Sequence, residues 1–319
     1  QIIVDRFAAN PSQQSTLQTK LNASSTQFDN ALHNYFQSRT NANWYFDESD
    51  VSSYVNYLLG TTINYTSTIA NADAVKEFHK FPEQGSASSY DVDLPDVIDW
   101  INPGGSSNPE FLHTLNRHAH FMDLAYAYRI TGDAEYSDEL AYQIASWSTQ
   151  YITSDVPQAY STSDQAGWRL DTALRADAWT QTYFLMLGGA DFSGADSTLM
   201  VYKLIQMGDY LQAEAAVTTD FGSNRSLSVA KSLLALGQMF PELNTAATWE
   251  SAGRTLLFKS ARGQLYNDGS HHEQSPVYTA GVAEDLVEAR LLDIRNGDDA
   301  RRLTDEYSRQ FRALEPLRS

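Results

Sequence analysis

The chain has 319 residues, 42% of them hydrophobic, enough to bury a sizeable core in one large domain or two ordinary ones. Its 40 acidic residues against 22 basic ones leave a net charge of -18, which argues against nucleic acid as the main partner. No run of 18 apolar residues is present, which excludes a membrane-spanning helix, and the absence of cysteine removes both disulfide frameworks and thiolate metal sites.

The opening segment QIIVDRF lacks the charged-then-apolar order of a signal peptide, and a start at Gln1 rather than Met reads as a processed or trimmed product. Helical stretches are expected near 13–38 and 48–59. The polar segment from Pro82 to Asp91 then reads as an exposed loop. From Phe111 onward apolar residues recur at helical spacing, predicting helices over roughly 109–131, 134–150, 169–187, 196–217, 225–239, 246–265, 277–295 and 298–314. Short turns such as Thr131-Gly132-Asp133 separate them, and strand-like alternation is almost absent. Successive antiparallel hairpins of this kind close into a helical toroid. The expectation is therefore an all-α fold in one domain, 1–319, with a less regular part over 1–108 and regular hairpins over 109–319.

Four stretches hold more polar and aromatic residues than helix packing needs: 115–120, 167–179, 222–242 and 267–279. In the first, Asn116, Arg117 and His118 either line a cleft or form a hydrogen-bond network at a helix start. In the second, Trp168 and Arg169 can stack on and pair with an acidic sugar, or Arg169 can bridge to Asp171 inside the fold. Asn224 in the third is either a helix N-cap after Gly222-Ser223 or a ligand-facing amide. In the last, His271, His272 and Glu273 precede Ser275-Pro276, a helix start, with Tyr278 in its first turn. Adjacent His side chains diverge and no third ligand has suitable spacing, so no metal is assigned. No cofactor is implied either. Trp147, Trp179 and Trp249 fall within helical periodicity and read as core.

Five segments in order, DVIDWINP (96–103), LNRHAHFMDLAYAYRITGD (115–133), WRLDTALRADAW (168–179), NRSLSVAKSLLALGQMFPE (224–242) and DGSHHEQSPVYT (268–279), resemble the heparinase II/III-like superfamily of polysaccharide lyases. That superfamily includes heparan sulfate, heparin and alginate lyases, and the resemblance spans about two-thirds of the chain. It implies an incomplete (α/α) toroid followed by an antiparallel β-sandwich; no β-rich segment follows here, so the second domain is expected to be absent. It also implies an anionic uronate-containing polysaccharide as substrate, and an extracellular or periplasmic location. Carried over by position, Asn224 matches the Asn that neutralises the substrate carboxylate, and Tyr278 matches the catalytic Tyr. Arg225 stands where the alginate-lyase and heparinase II branches carry a His, so the pattern is closest to heparinase III. In that branch the second catalytic His comes from the β-sandwich, and His271 or His272 is the substitute this chain could offer.

An acidic chain repels a polyanion unless cations gather locally, which directs attention to Arg117, Arg169 and Arg225. Only 6 of the basic residues are Lys, a bias read here as adaptation to high salt. Two rival readings remain. A glycoside hydrolase on an (α/α) barrel would use paired carboxylates drawn from Asp164, Asp171, Asp268 and Glu273. A toroid that has lost its β-sandwich could instead bind glycan without turnover.

Overall fold

A computed structural model describes residues 1–40, 42, 44, 65–83, 90–150, 169–266 and 271–297. The chain forms two compact units, Gln1–Arg39 with Phe46–Met207, and Thr40–Tyr45 with Gly208–Ser319. The expected helices over 48–59 and 298–314 lie outside the described residues.

The first unit begins with α1 (Ile2–Arg6), a single 3-10 turn (Phe7–Ala9), α2 (Pro11–Ala23) and α3 (Ser25–Ser38). The one helix expected over 13–38 is two, because Ser24 adopts an extended conformation and its side chain accepts a hydrogen bond from the Gln27 N–H. Serine at an N-cap satisfies a donor that the helix start leaves unpaired, so it restarts the helix rather than continuing it. Phe7, Phe36 and Tyr183 stack edge to face in the core beneath these helices.

Helix α4 (Tyr65–Phe78) has no counterpart among the sequence expectations. Within it only Ala72 and Val75 are buried, too thin an apolar stripe for periodicity to register. The segment read as a loop over 82–91 carries strand at both ends. Strand β1 (Lys80–Pro82) pairs antiparallel with β2 (Tyr90–Asp93), and Phe81 faces Val92. Both of those side chains are buried, and three or four residues are too short for alternation to register.

Next come α5 (Glu110–Arg117), α6 (His120–Thr131), α7 (Ala134–Gln150) and α8 (Arg169–Met186). The helix expected over 109–131 breaks at His118, which takes the left-handed conformation at φ 57°. Gly132, also left-handed, closes α6 with its N–H on the Tyr128 carbonyl. Trp100, Trp147 and Trp179 are buried at the centre of this unit.

Helix α9 (Gly194–Val217) leads into the second unit, which holds α10 (Asn224–Met239), α11 (Ala246–Gln264) and α12 (Pro276–Arg295). Helices α10 and α11 pack as an antiparallel hairpin drawn together by two glycines. A Cβ on Gly253 would lie 2.6 Å from the Leu234 nitrogen, and one on Gly237 would lie 2.7 Å from the Ala246 carbonyl oxygen.

Helix α12 then packs against α10 through a polar seam. Ser228 Oγ donates to Asp285 at 3.1 Å, Lys231 Nζ donates to Glu288 at 2.6 Å, and Gln238 Nε2 donates to Asp293 at 2.6 Å. The partner numbers rise together, so the two helices run parallel and start at the same end. No helix among the described residues is long and apolar enough to cross a membrane.

Candidate functional site

In the first unit, Asp171 is fully buried and takes two donors from α5. Arg117 Nε reaches its Oδ1 at 2.7 Å and His113 Nδ1 its Oδ2 at 2.5 Å. The partners of Asp171 are thus Arg117 and His113, not the Arg169 that one of the two sequence readings offered. His113 and Arg117 are four residues apart on one helix, so they share a face, and that spacing was the available signal for this cluster.

Asn116 is wholly buried, and its amide is used three times within the fold. Its Nδ2 donates to the carbonyls of Trp100 and Leu112 at 3.0 Å, and its Oδ1 accepts from Trp147 Nε1 at 3.0 Å. His118 is also fully buried, stacked on Phe121 at 4.5 Å, and its Nδ1 accepts from Trp179 Nε1 at 2.8 Å. Burial first, then the nearby Arg175 guanidinium and His120, hold His118 well below the usual imidazole range, so it is neutral. These side chains form the packed centre of the unit. Arg169 opens α8, while Trp168 lies outside the described residues, as do Asp164 and Asp268.

The second unit gathers the remaining candidates. Ser223, not Asn224, is the N-cap of α10, and Asn224 is the first helical residue. Its side chain is therefore not spent on capping, and its amide forms no hydrogen bond among the described residues. Arg225 follows it, half-buried. Tyr278 sits in the first turn of α12, where the Ser275 hydroxyl caps its N–H, and 46% of the tyrosine is exposed.

The parallel seam fixes the relation between these two residues. Partners on α10 and α12 differ by 54 to 57 positions along the seam, so Tyr278 lies within about one helical turn (~5 Å) of the level of Asn224. Two helix N-termini thus start at one end, and their dipoles favour an anion there.

The two adjacent histidines differ in environment. His271 is buried, with its Nε2 3.4 Å from Gln264 Oε1, and its Nδ1 accepts from the Glu273 N–H at 3.3 Å. Burial foremost holds its pKa below the ordinary value; Glu273 opposes that and His272 adds to it. His272 is half-buried, and its Nδ1 is buried without a partner among the described residues. A methyl group on Gly222 would lie 3.7 Å from its Cε1 and 3.8 Å from its Nε2, so this ring rests beside the loop that leads to Asn224. Glu273 is exposed.

Gln264 and Lys231 were not singled out from sequence, because a Gln or Lys inside helical periodicity carries no motif. A groove of about 600 Å³ lined by α9, α11 and the segment after α9, including Phe221, Thr255 and Lys259, contains none of the candidate residues. Among the described residues no group of three His, Asp or Glu could hold a metal.

The Heparinase II/III N-terminus family matches residues 10–314. The heparin-sulfate lyase of Bacteroides thetaiotaomicron is 25% identical over 293 residues, covering 91% of this chain and 39% of that protein. The heparin-sulfate lyase of Pedobacter heparinus is 27% identical over 179 residues, which is 55% of this chain and 26% of that protein. Among solved structures, Heparinase III superposes with a TM-score of 0.75 at 22% identity over 94% of this chain and 44% of that one. Heparan sulfate lyase HepC from Pedobacter heparinus does so with a TM-score of 0.73 at 21% identity, over 97% and 47%. The chain thus spans less than half the length of the relatives it matches. The fold is the all-α helical toroid type of heparinase III, and by the family match over residues 10–314 the chain belongs to the heparinase II/III family.

Proposed function

We propose that the protein is a polysaccharide lyase that cleaves a uronic-acid-containing, heparan-sulfate-like glycan by β-elimination. The observation that carries this reading is the pairing of Asn224, whose amide is not used as the helix cap, with an exposed phenol, Tyr278, at the common starting end of two parallel helices. In the reaction, the C5 proton is removed, a C4–C5 double bond forms, and the C4–O4 bond breaks. Negative charge builds on the uronate carboxylate, and a preorganised neutral donor such as Asn224 stabilises it without titrating. The helix N-termini and Arg225 add positive potential at that point. For the C5 epimer that presents its hydrogen on the same face as O4, the ionised Tyr278 phenol removes the C5 proton and delivers it to the departing O4. His272 and Glu273 are the remaining polar groups proposed to meet the polymer. A polymeric substrate of this kind places the enzyme outside the cytoplasm, in the medium or periplasm.

Asp171 drops out of the carboxylate pairs offered for the hydrolase alternative, because its two oxygens are committed to Arg117 and His113 without solvent access. Incubation with heparan sulfate, hyaluronan, chondroitin and alginate at low and high salt tests the proposal. The expected result is ultraviolet-absorbing unsaturated product from heparan sulfate. New reducing ends without ultraviolet absorption would identify a hydrolase, and binding without cleavage would identify a non-catalytic toroid.

A further inference from the structure

The Ser223 carbonyl belongs to the same planar peptide as the Asn224 nitrogen, so whatever fixes that carbonyl fixes the direction in which α10 starts. Two side chains hold it: Ser226 Oγ donates to it at 2.8 Å, and Gln264 Nε2, from the end of α11, donates at 2.8 Å. The glutamine could in principle face either way, and the neighbouring histidine decides the matter. A backbone N–H only donates, and the Glu273 N–H points at His271 Nδ1, so Nδ1 is the acceptor of the ring. The ring proton of the neutral imidazole therefore sits on Nε2, facing Gln264 Oε1 at 3.4 Å. With Oε1 accepting there, the amide NH2 is left to face Ser223. The opposite orientation would set two acceptors against each other at the carbonyl.

His271 is itself held by backbone. The His272 N–H donates to the Gln264 carbonyl at 2.9 Å, and Leu265 and His271 form an antiparallel bridge. His271 is 1% exposed and Gln264 is fully buried, so water does not compete for these bonds. Gly263 brings the same end of α11 against the loop before Asn224, since a Cβ there would lie 2.5 Å from the Phe221 carbonyl oxygen.

We infer that His271 is a positioning residue that sets the direction of Asn224 through Gln264 and the Ser223 carbonyl, and takes no proton in the reaction. The inference rests on the role proposed above for Asn224, and it gives the two adjacent histidines different tasks.

Two substitutions separate the ring nitrogens, because Asn places a polar atom near the position of Nδ1 and Gln places one near that of Nε2. His271→Gln keeps the donor to Gln264 and gives up the acceptor for Glu273; His271→Asn does the reverse. On heparan sulfate, His271→Asn is expected to lose about tenfold or more in kcat with little change in KM, the cost of misplacing a group that acts in the transition state. His271→Gln is expected to retain most of kcat and an unaltered pH profile.

A readout independent of turnover is the side-chain amide resonance of Asn224 in protein labelled with nitrogen-15 at asparagine, expected to move in His271→Asn and to stay in place in His271→Gln. Equal kcat in the two variants, an Asn224 resonance that moves in neither, or a pH profile altered by His271→Gln would each overturn the inference. Absence of unsaturated product from the unsubstituted protein would sink the lyase reading instead, and the resonance pair would still decide the positioning role.

Discussion

Lys231 on α10 meets Asp285 on α12 at 3.0 Å, and this contact, with the Glu288 carboxylate 2.6 Å from the same ammonium, holds two parallel helices in register. The proposed site depends on that register, because Asn224 and Tyr278 each sit in the first turn of one of these helices. Only 6% of the Lys231 side chain is exposed, against 15% of Asp285 and 25% of Glu288. Removing the cation leaves two carboxylates facing each other at low solvent access. Lys231→Met is expected to cost stability toward the lower end of the roughly 3–5 kcal/mol typical of a broken buried pair, since the carboxylates keep some water. Urea denaturation monitored by circular dichroism measures it, and a variant as stable as the original would remove the seam from the account.

Two glycines predict opposite signs for the same substitution. Gly253→Ala gains helix propensity but sets a methyl group against the Leu234 nitrogen and the Ala230 carbonyl oxygen, both backbone atoms that cannot swing aside. Overpacking of this kind costs about 1–3 kcal/mol and exceeds the gain, so the melting temperature should fall. Gly281, on α12, has nothing within 4 Å of its missing Cβ. Gly281→Ala should raise stability by about 1 kcal/mol through propensity alone. Differential scanning calorimetry on both variants checks the pair, and a rise for Gly253→Ala would contradict the close approach of α10 and α11.

Acid should loosen the first unit at its histidine centre. Burial pushes His120 down to about 4, partly opposed by its hydrogen bond to Gln143, and His118 is lowered as well. The unfolded chain, with an ordinary imidazole pKa of about 6.5, then binds more protons than the folded one throughout the interval down to about 4. The stability contributed by neutral His120 is complete above pH 6.5 and is lost as pH falls through that interval. The expected loss from His120 is about 2 kcal/mol between pH 7 and pH 5. His120→Gln keeps a donor for Gln143 and should flatten this dependence, as read from denaturation midpoints across the pH series. An equally steep dependence in the variant would place the titrating group elsewhere.

The regular helices were legible because their apolar residues repeat with the helical period over many turns, and α7, expected over 134–150, spans those residues. Local backbone events broke the pattern where periodicity is blind, as at Ser24 and His118. Asn224 and Tyr278 came from family resemblance, and composition alone would have left one as a helix cap and the other as an interfacial aromatic. What sequence could not supply was the commitment of individual polar atoms. Asn116 and His118 read equally as cleft residues or as a hydrogen-bond network, and the structure has both Asn116 amide atoms and His118 Nδ1 taken by indole and backbone partners inside the core. The two histidines at 271 and 272 are chemically identical in sequence, and only their hydrogen bonds distinguish them.

The most direct test of the account is the rate of unsaturated product formation from heparan sulfate by Tyr278→Phe, measured beside binding of the same polymer. Loss of the phenolic proton should lower turnover by at least about 100-fold while binding stays within about twofold of the original, because the hydroxyl acts on O4 only as the bond breaks. Asn224→Ala should lose about 100- to 1000-fold by removing one preorganised donor. Turnover by Tyr278→Phe at the original rate would contradict the central claim.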